Sequence, residues 1–241
     1  MKLVIDPVVD TEEKGILWRI SPFMRSIYDA LGEAKANYLY REEATKENIF
    51  NMLPSADVVI ATGHGDYNLY TSYKLEPVFY VGQNIDVDGK KFMFLSCRLG
   101  KELIPYMESL GAVGAGWVED FVLVFDNNLD PSLDEVLKLF IQPFVDGALA
   151  VASSGNISDA AIVREELKKN ASTVSFIDSE IRDALNYNAS KFYISGLGTE
   201  STAEGIKIDL GEILQYAVAF AFPLTIMGYG IYKKYFKKQS K

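Results

Sequence analysis

The sequence predicts an α/β domain: a doubly wound, mostly parallel sheet with helices on both faces, followed by a C-terminal transmembrane helix. Three observations predict it. Short apolar runs alternate with stretches of helical periodicity, in the order strand, helix, strand, helix, strand up to Thr62. Two runs, Asp57 to Thr62 and Lys91 to Ser96, are apolar without strict alternation, as suits central parallel strands covered on both sides. Residues Ile213 to Tyr232 carry no charge over 20 positions, enough to cross a hydrocarbon core of roughly 30 Å.

The elements follow in order. Met1 to Pro7 is a short first strand; it lacks the long apolar core of a signal peptide and reads as mature sequence. From Ser21-Pro22 to Ala36 the residues Phe23, Met24, Ile27, Leu31 and Ala34 fall at helical spacing, with Ser21 as N-cap and Pro22 at the first helical position. Ala36 to Tyr40 is the second strand. A helix capped by Thr45 follows and ends before Pro54. Asp57 to Thr62 is the third strand, stopped by Gly63-His64-Gly65, and the 32 residues between His64 and Cys97 read as an excursion of short strands. Lys91 to Ser96 is the next core strand. Leu99 to Leu110 places Leu99, Leu103, Ile104, Met107 and Leu110 on one helical face and ends at Gly111. Ala112 to Val118 is a further strand; Gly111, Gly114 and Gly116 follow a helix rather than a strand, so they indicate close packing instead of a phosphate loop. Leu133 to Ala152 and Ser158 to Lys169 read as helices, the second capped by Ser158, and Phe192 to Gly196 as the last core strand. The divisions are a domain over 1–205, a linker over 206–212, the span over 213–232 and a basic tail over 233–241.

Composition narrows the chemistry. The chain has 241 residues, 49% of them hydrophobic, enough for one substantial core. A formal charge of −9 argues against a nucleic-acid partner. One cysteine and one histidine exclude a disulfide framework and the usual zinc sets, so metal catalysis would have to rest on carboxylates alone; no metal or other cofactor is expected. No P-loop or nucleophile-elbow motif is present.

The sole histidine, His64, and the sole cysteine, Cys97, each end one of the two central strands. If those strands are neighbours, both side chains lie on the sheet edge where open α/β folds bind ligands. A thiol is only a few per cent ionised at neutral pH, and an adjacent imidazole removes its proton and returns it to a leaving amine. The start of the helix after Cys97 would lower the thiol pKa further.

These motifs, Val58-Val-Ile-Ala-Thr-Gly-His-Gly and Phe92-Met-Phe-Leu-Ser-Cys, resemble the caspase-like cysteine peptidases, the group of caspases, clostripain, gingipains, separase and CHAT domains. The likeness extends more loosely over residues 1 to 200. It implies a caspase-like fold and peptide-bond hydrolysis through a thioester. Cys97 is then the nucleophile, His64 the general base and acid, and the N–H groups of Gly65 and Cys97 the oxyanion hole. Glu119 and Asp120, just past a strand end, are candidates for an acidic pocket that selects a basic residue in a peptide or protein substrate. Arg98 departs from the pattern, and Asp66 is a candidate to orient His64. The competing reading is a catalytically inactive module of the same fold, serving as a membrane-anchored structural or interaction component.

The span makes the membrane an expected partner. Lys233, Lys234, Lys237, Lys238 and Lys241 behind it favour a cytoplasmic tail and an external domain. The lack of a leader in the N-terminal sequence favours a tail-anchored domain facing the cytoplasm, the side we lean toward. Sequons at Asn156, Asn170 and Asn188 would be usable only if the domain were exported. Oligomeric state is left open.

Overall fold

The computed structural model describes residues 1–8, 15–126, 128–175 and 178–199. The expected linker, the span over 213–232 and the basic tail lie outside the described residues. In chain order the elements are β1 (Lys2–Asp6), α1 (Ile16–Leu31), β2 (Ala36–Tyr40), α2 (Lys46–Met52), β3 (Val58–Thr62), β4 (His64–Asp66), β5 (Leu69–Thr71), β6 (Pro77–Tyr80) and β7 (Lys91–Leu95). They continue as α3 (Leu103–Ser109), β8 (Val113–Trp117), α4 (Glu135–Ser154), α5 (Ala161–Thr173), α6 (Ser179–Lys191) and β9 (Phe192–Ile194).

Among the described residues, six strands form one sheet in the order β2-β1-β3-β7-β8-β9, parallel throughout except for β9, which runs antiparallel to β8. The excursion between β3 and β7 is a separate antiparallel sheet, β4-β5-β6. The apolar runs behave as buried parallel strands do, sending successive side chains into two cores. Val58 and Ile60 of β3 and Met93 and Leu95 of β7 join a core built with α1, α4, α5 and α6. Val59, Ala61, Phe92 and Phe94 face α2, α3 and the small sheet. Helices thus cover both faces. Gly114 and Gly116 lie under Ile104: a Cβ there would come within 2.9 Å and 3.1 Å of its side chain, so these glycines permit α3 to sit close on β8.

Thr45 caps α2 as its sequence indicates, accepting the Asn48 N–H at 3.2 Å. Asp134 caps α4, accepting from Leu137 at 2.9 Å. Among the described residues α4 alone is long and apolar enough to cross a membrane, yet over half of it is buried in the core.

Several boundaries differ from expectation. The first helix begins at Ile16 rather than Ser21 and ends at Leu31, where Gly32 turns with φ 79°. Ser21 is therefore no cap; its hydroxyl donates to Asp6 Oδ2 at 2.6 Å. Pro22 sits inside the helix, a cost of about 3 kcal/mol. Burial of Leu17 and Ile20 in the turn before it, roughly 1.5–3 kcal/mol each, offsets that cost. Ser158 is likewise inside a 3₁₀ turn before α5, and Asn156 accepts its N–H at 3.1 Å. The helix α6 was not anticipated. The largest difference lies after Cys97, where a helix from Leu99 was expected and α3 begins only at Leu103. Gly100 donates its N–H to Trp117 O at 2.9 Å, and a Cβ there would come within 3.0 Å of Gly116 O. Residues 99–102 form turns instead, with Lys101 N–H donating to Arg98 O at 3.1 Å, because the chain bonds to the end of β8 before a helix can start.

Candidate functional site

β3 and β7 are adjacent and in register, with Thr62 opposite Leu95. Beyond that pair the Ser96 hydroxyl donates to the Gly63 carbonyl at 2.9 Å, and the Thr62 hydroxyl donates to Leu95 O at 3.3 Å. The next residues are His64 and Cys97. Gly65 packs directly on the Cys97 carbonyl, where a Cβ would collide both with that oxygen and with the Leu99 side chain. Both strand ends therefore reach one rim, with His64 between two residues fastened to the Cys97 end. His64 is half-buried and opens β4; Thr71 donates to its carbonyl at 3.4 Å, and the Tyr70 hydroxyl donates to Thr62 O at 2.7 Å. A glycine on each side gives the backbone its room: Gly63, at φ 154°, would place a Cβ on Thr71 O.

Cys97 is 0% exposed. Its sulfur accepts the Phe121 N–H at 3.3 Å and belongs to the core on the α4 side of the sheet. The segment following β8 crosses over it. Phe121 packs on Trp117 with the rings tilted by 46° and their centroids 4.3 Å apart, and Asn188 of α6 holds Val122 by both backbone groups, at 2.9 Å to its N–H and 2.7 Å to its carbonyl. Asn188 is itself fully buried, so its sequon is closed to glycosylation in the folded domain. Because α3 has seven residues and starts well past Cys97, it supplies no dipole to the thiol. The Phe121 N–H is instead the backbone donor that meets the sulfur.

The acidic residues gather around Arg98. Its backbone takes φ 62°, its N–H donates to Glu119 O at 3.2 Å, and its Nη2 donates to Asp120 Oδ2 at 2.7 Å. Nη1 lies 3.7 Å from Asp66 Oδ1, and the guanidinium sits over the Tyr67 ring at 5.3 Å. The bond to Asp120 raises the Arg98 pKa above its ordinary value, against some loss of hydration. The pair is half made: Arg98 Nε and Asp120 Oδ1 are buried without hydrogen-bond partners. Tyr187 of α6 stands beside this group; burial first, then the Glu119 and Asp120 charges and Cys97, push its pKa up to about 12.

The expected pocket residues thus reach the same rim as Cys97, but Asp120 is already paired with Arg98. Asp66, expected to orient His64, also lies 3.7 Å from Arg98 Nη1. Phe121, Asn188 and Tyr187 were not anticipated. A carboxamide 66 residues from its backbone partner leaves no spacing signal, whereas Arg98 beside Cys97 and opposite two acids was readable as charge complementarity. Among the described residues no group of three or more His, Cys, Asp or Glu side chains is placed to hold a metal ion.

A separate cleft of about 360 Å³ lies beside the ends of β1 and β2, lined by Trp18, Ser21, Arg25, Tyr38, Tyr40 and Asp130. Behind it, buried Asp6 accepts from Ser21 and from Tyr38 at 2.7 Å, and burial raises its pKa to about 6 against those two bonds. This cleft contains neither His64 nor Cys97.

Comparison with known protein families, with curated proteins and with solved structures finds no match for this chain.

Proposed function

We propose that the chain is a caspase-like cysteine endopeptidase, anchored in a membrane through residues 213–232, whose site is closed in this conformation. One observation carries the reading: the only imidazole and the only thiol end neighbouring parallel strands at one rim, with Gly65 seated on the Cys97 carbonyl. His64 takes the Cys97 proton as the sulfur attacks the scissile carbonyl carbon, and N–H groups at Gly65 and Cys97 stabilise the oxyanion. Collapse of the intermediate breaks the C–N bond and leaves a thioester, His64 giving the proton to the departing amine. Water, deprotonated by His64, then releases the acid and restores the thiol. Asp66, Glu119 and Asp120 favour cleavage after a basic residue.

Panels of Arg, Lys and Asp peptide substrates test this with the full-length protein in detergent. Turnover after Arg or Lys that Cys97→Ala abolishes, and that His64→Ala lowers by about 10²-fold or more, is the expected result. Absence of turnover and of labelling by thiol-reactive peptides refutes it. Protease protection of intact cells tests the membrane side; a domain facing the cytoplasm, the side we favour, is sealed from digestion outside the cell.

A second reading, a non-catalytic module of the same fold, is favoured by the full burial of Cys97 under Phe121. It predicts a thiol that stays unreactive even when substrate peptides are present.

A further inference from the structure

We propose that residues 119–122 form a strap that shuts Cys97 off from solvent, latched by Arg98 and released when a basic peptide side chain displaces Arg98 from Asp120. The proposal rests on Cys97 being the nucleophile and says how its closed site opens.

The contacts run along the strap in sequence. Glu119 O and the Asp120 carboxylate are held by Arg98, Phe121 N–H rests on the sulfur, and both backbone groups of Val122 are held by Asn188. The two fastenings differ in kind. Asn188 is fully buried, so its end acts as the hinge. The Arg98 and Asp120 side chains are 27% and 22% exposed, so a cation from solvent can compete for that carboxylate. Arg98 directly follows Cys97, which couples movement of the latch to the residue carrying the sulfur.

The latch is also incomplete. A single bond joins Nη2 to Oδ2, while Arg98 Nε and Asp120 Oδ1 stay buried and unpaired. A guanidinium meeting Asp120 edge-on would bond both oxygens, which the internal residue does not. Arg98 holds its position at φ 62°, a conformation that L-residues with side chains seldom adopt. Asp66 and Asp120 around one guanidinium leave an unbalanced negative charge, and Lys101 sits on the Tyr67 ring at 4.1 Å rather than on either carboxylate. The matching ligand is therefore a peptide with an arginine or lysine side chain.

The test uses the full-length protein, whose single cysteine makes iodoacetamide alkylation a direct readout of Cys97 exposure. Arg98→Ala is expected to raise the alkylation rate about tenfold or more, since a charge-assisted bond is lost, with Arg98→Lys intermediate. Acetyl-arginine amide is expected to accelerate alkylation of the wild type, and acetyl-leucine amide to leave it unchanged. Near-UV circular dichroism verifies folding, and Arg98→Lys carries the comparison if Arg98→Ala does not fold. Rates within twofold of wild type in the folded variant overturn the latch; equal effects of the two amides overturn release by a basic group. Alkylation needs no catalysis, so fast labelling without peptide turnover would sink the peptidase reading while leaving the strap intact.

Discussion

Replacing Asn188 by alanine should loosen the hinge end of the strap. The carboxamide donates to Val122 O at 2.7 Å and accepts from Val122 N–H at 2.9 Å, and Val122 is only 6% exposed. Without it, one buried donor and one buried acceptor lose their partners, at about 1–3 kcal/mol each. If the strap stays shut, the loss in stability is about 2–6 kcal/mol; if it lifts so that water reaches Val122, the loss approaches the lower figure. The Asn188 carbonyl, which accepts from Trp117 Nε1 at 3.0 Å, survives the substitution, so the effect belongs to the carboxamide. Urea unfolding of the full-length chain measures the stability change. Hydrogen exchange at Val122 and alkylation of Cys97 show whether the strap has opened, and both should quicken. A stability change under about 0.5 kcal/mol together with unchanged labelling would show that Asn188 does not hold the strap.

Three further outcomes follow from the same contacts. Asp6 has its folded pKa raised from 3.8 to about 6, so the folded state binds the extra proton, and stability is full below pH 4 and falls as pH rises toward 6. The two-unit difference amounts to about 3 kcal/mol as an upper figure; Asp6→Asn should remove that slope, seen as the difference between wild-type and variant unfolding curves from pH 4 to 7, and parallel curves would contradict it. Gly65→Ala should cost about 1–3 kcal/mol in chemical denaturation and abolish peptide turnover, because the new methyl meets the Cys97 carbonyl and must push the His64 turn away. Asp134→Ala should cost about 1–2 kcal/mol in the same assay, since one carboxylate caps α4 through Leu137 and also accepts the Asp126 N–H at 2.7 Å.

The legible parts of the fold were those with a periodic apolar signal. β3 and β7 announced themselves as buried strands because both of their faces are covered, and Thr45 announced a cap because a hydroxyl before a helical run has a local task. Ser21 and Pro22 misled for the same local reason: in a different tertiary setting they open a helix. Here buried Asp6 claims the Ser21 hydroxyl, and the core draws the six residues Ile16 to Ser21 into the helix in front of the proline. The start of α3 was misread because Leu99 fits the apolar face, while the competing pull, pairing of Gly100 with Trp117, comes from another strand.

For the candidate site, the sequence alone determined the inventory: a single imidazole and a single thiol, each after an apolar strand, with acids after a third. Tertiary structure decided what surrounds them. Side-by-side pairing of β3 and β7 joins the two ends at one rim, while the chain after β8 covers the sulfur and gives Asp120 to Arg98. The division has a physical cause. Strand propensity and chemical type belong to residues and their near neighbours, whereas burial and ion pairing depend on segments that meet only when the whole sheet has assembled.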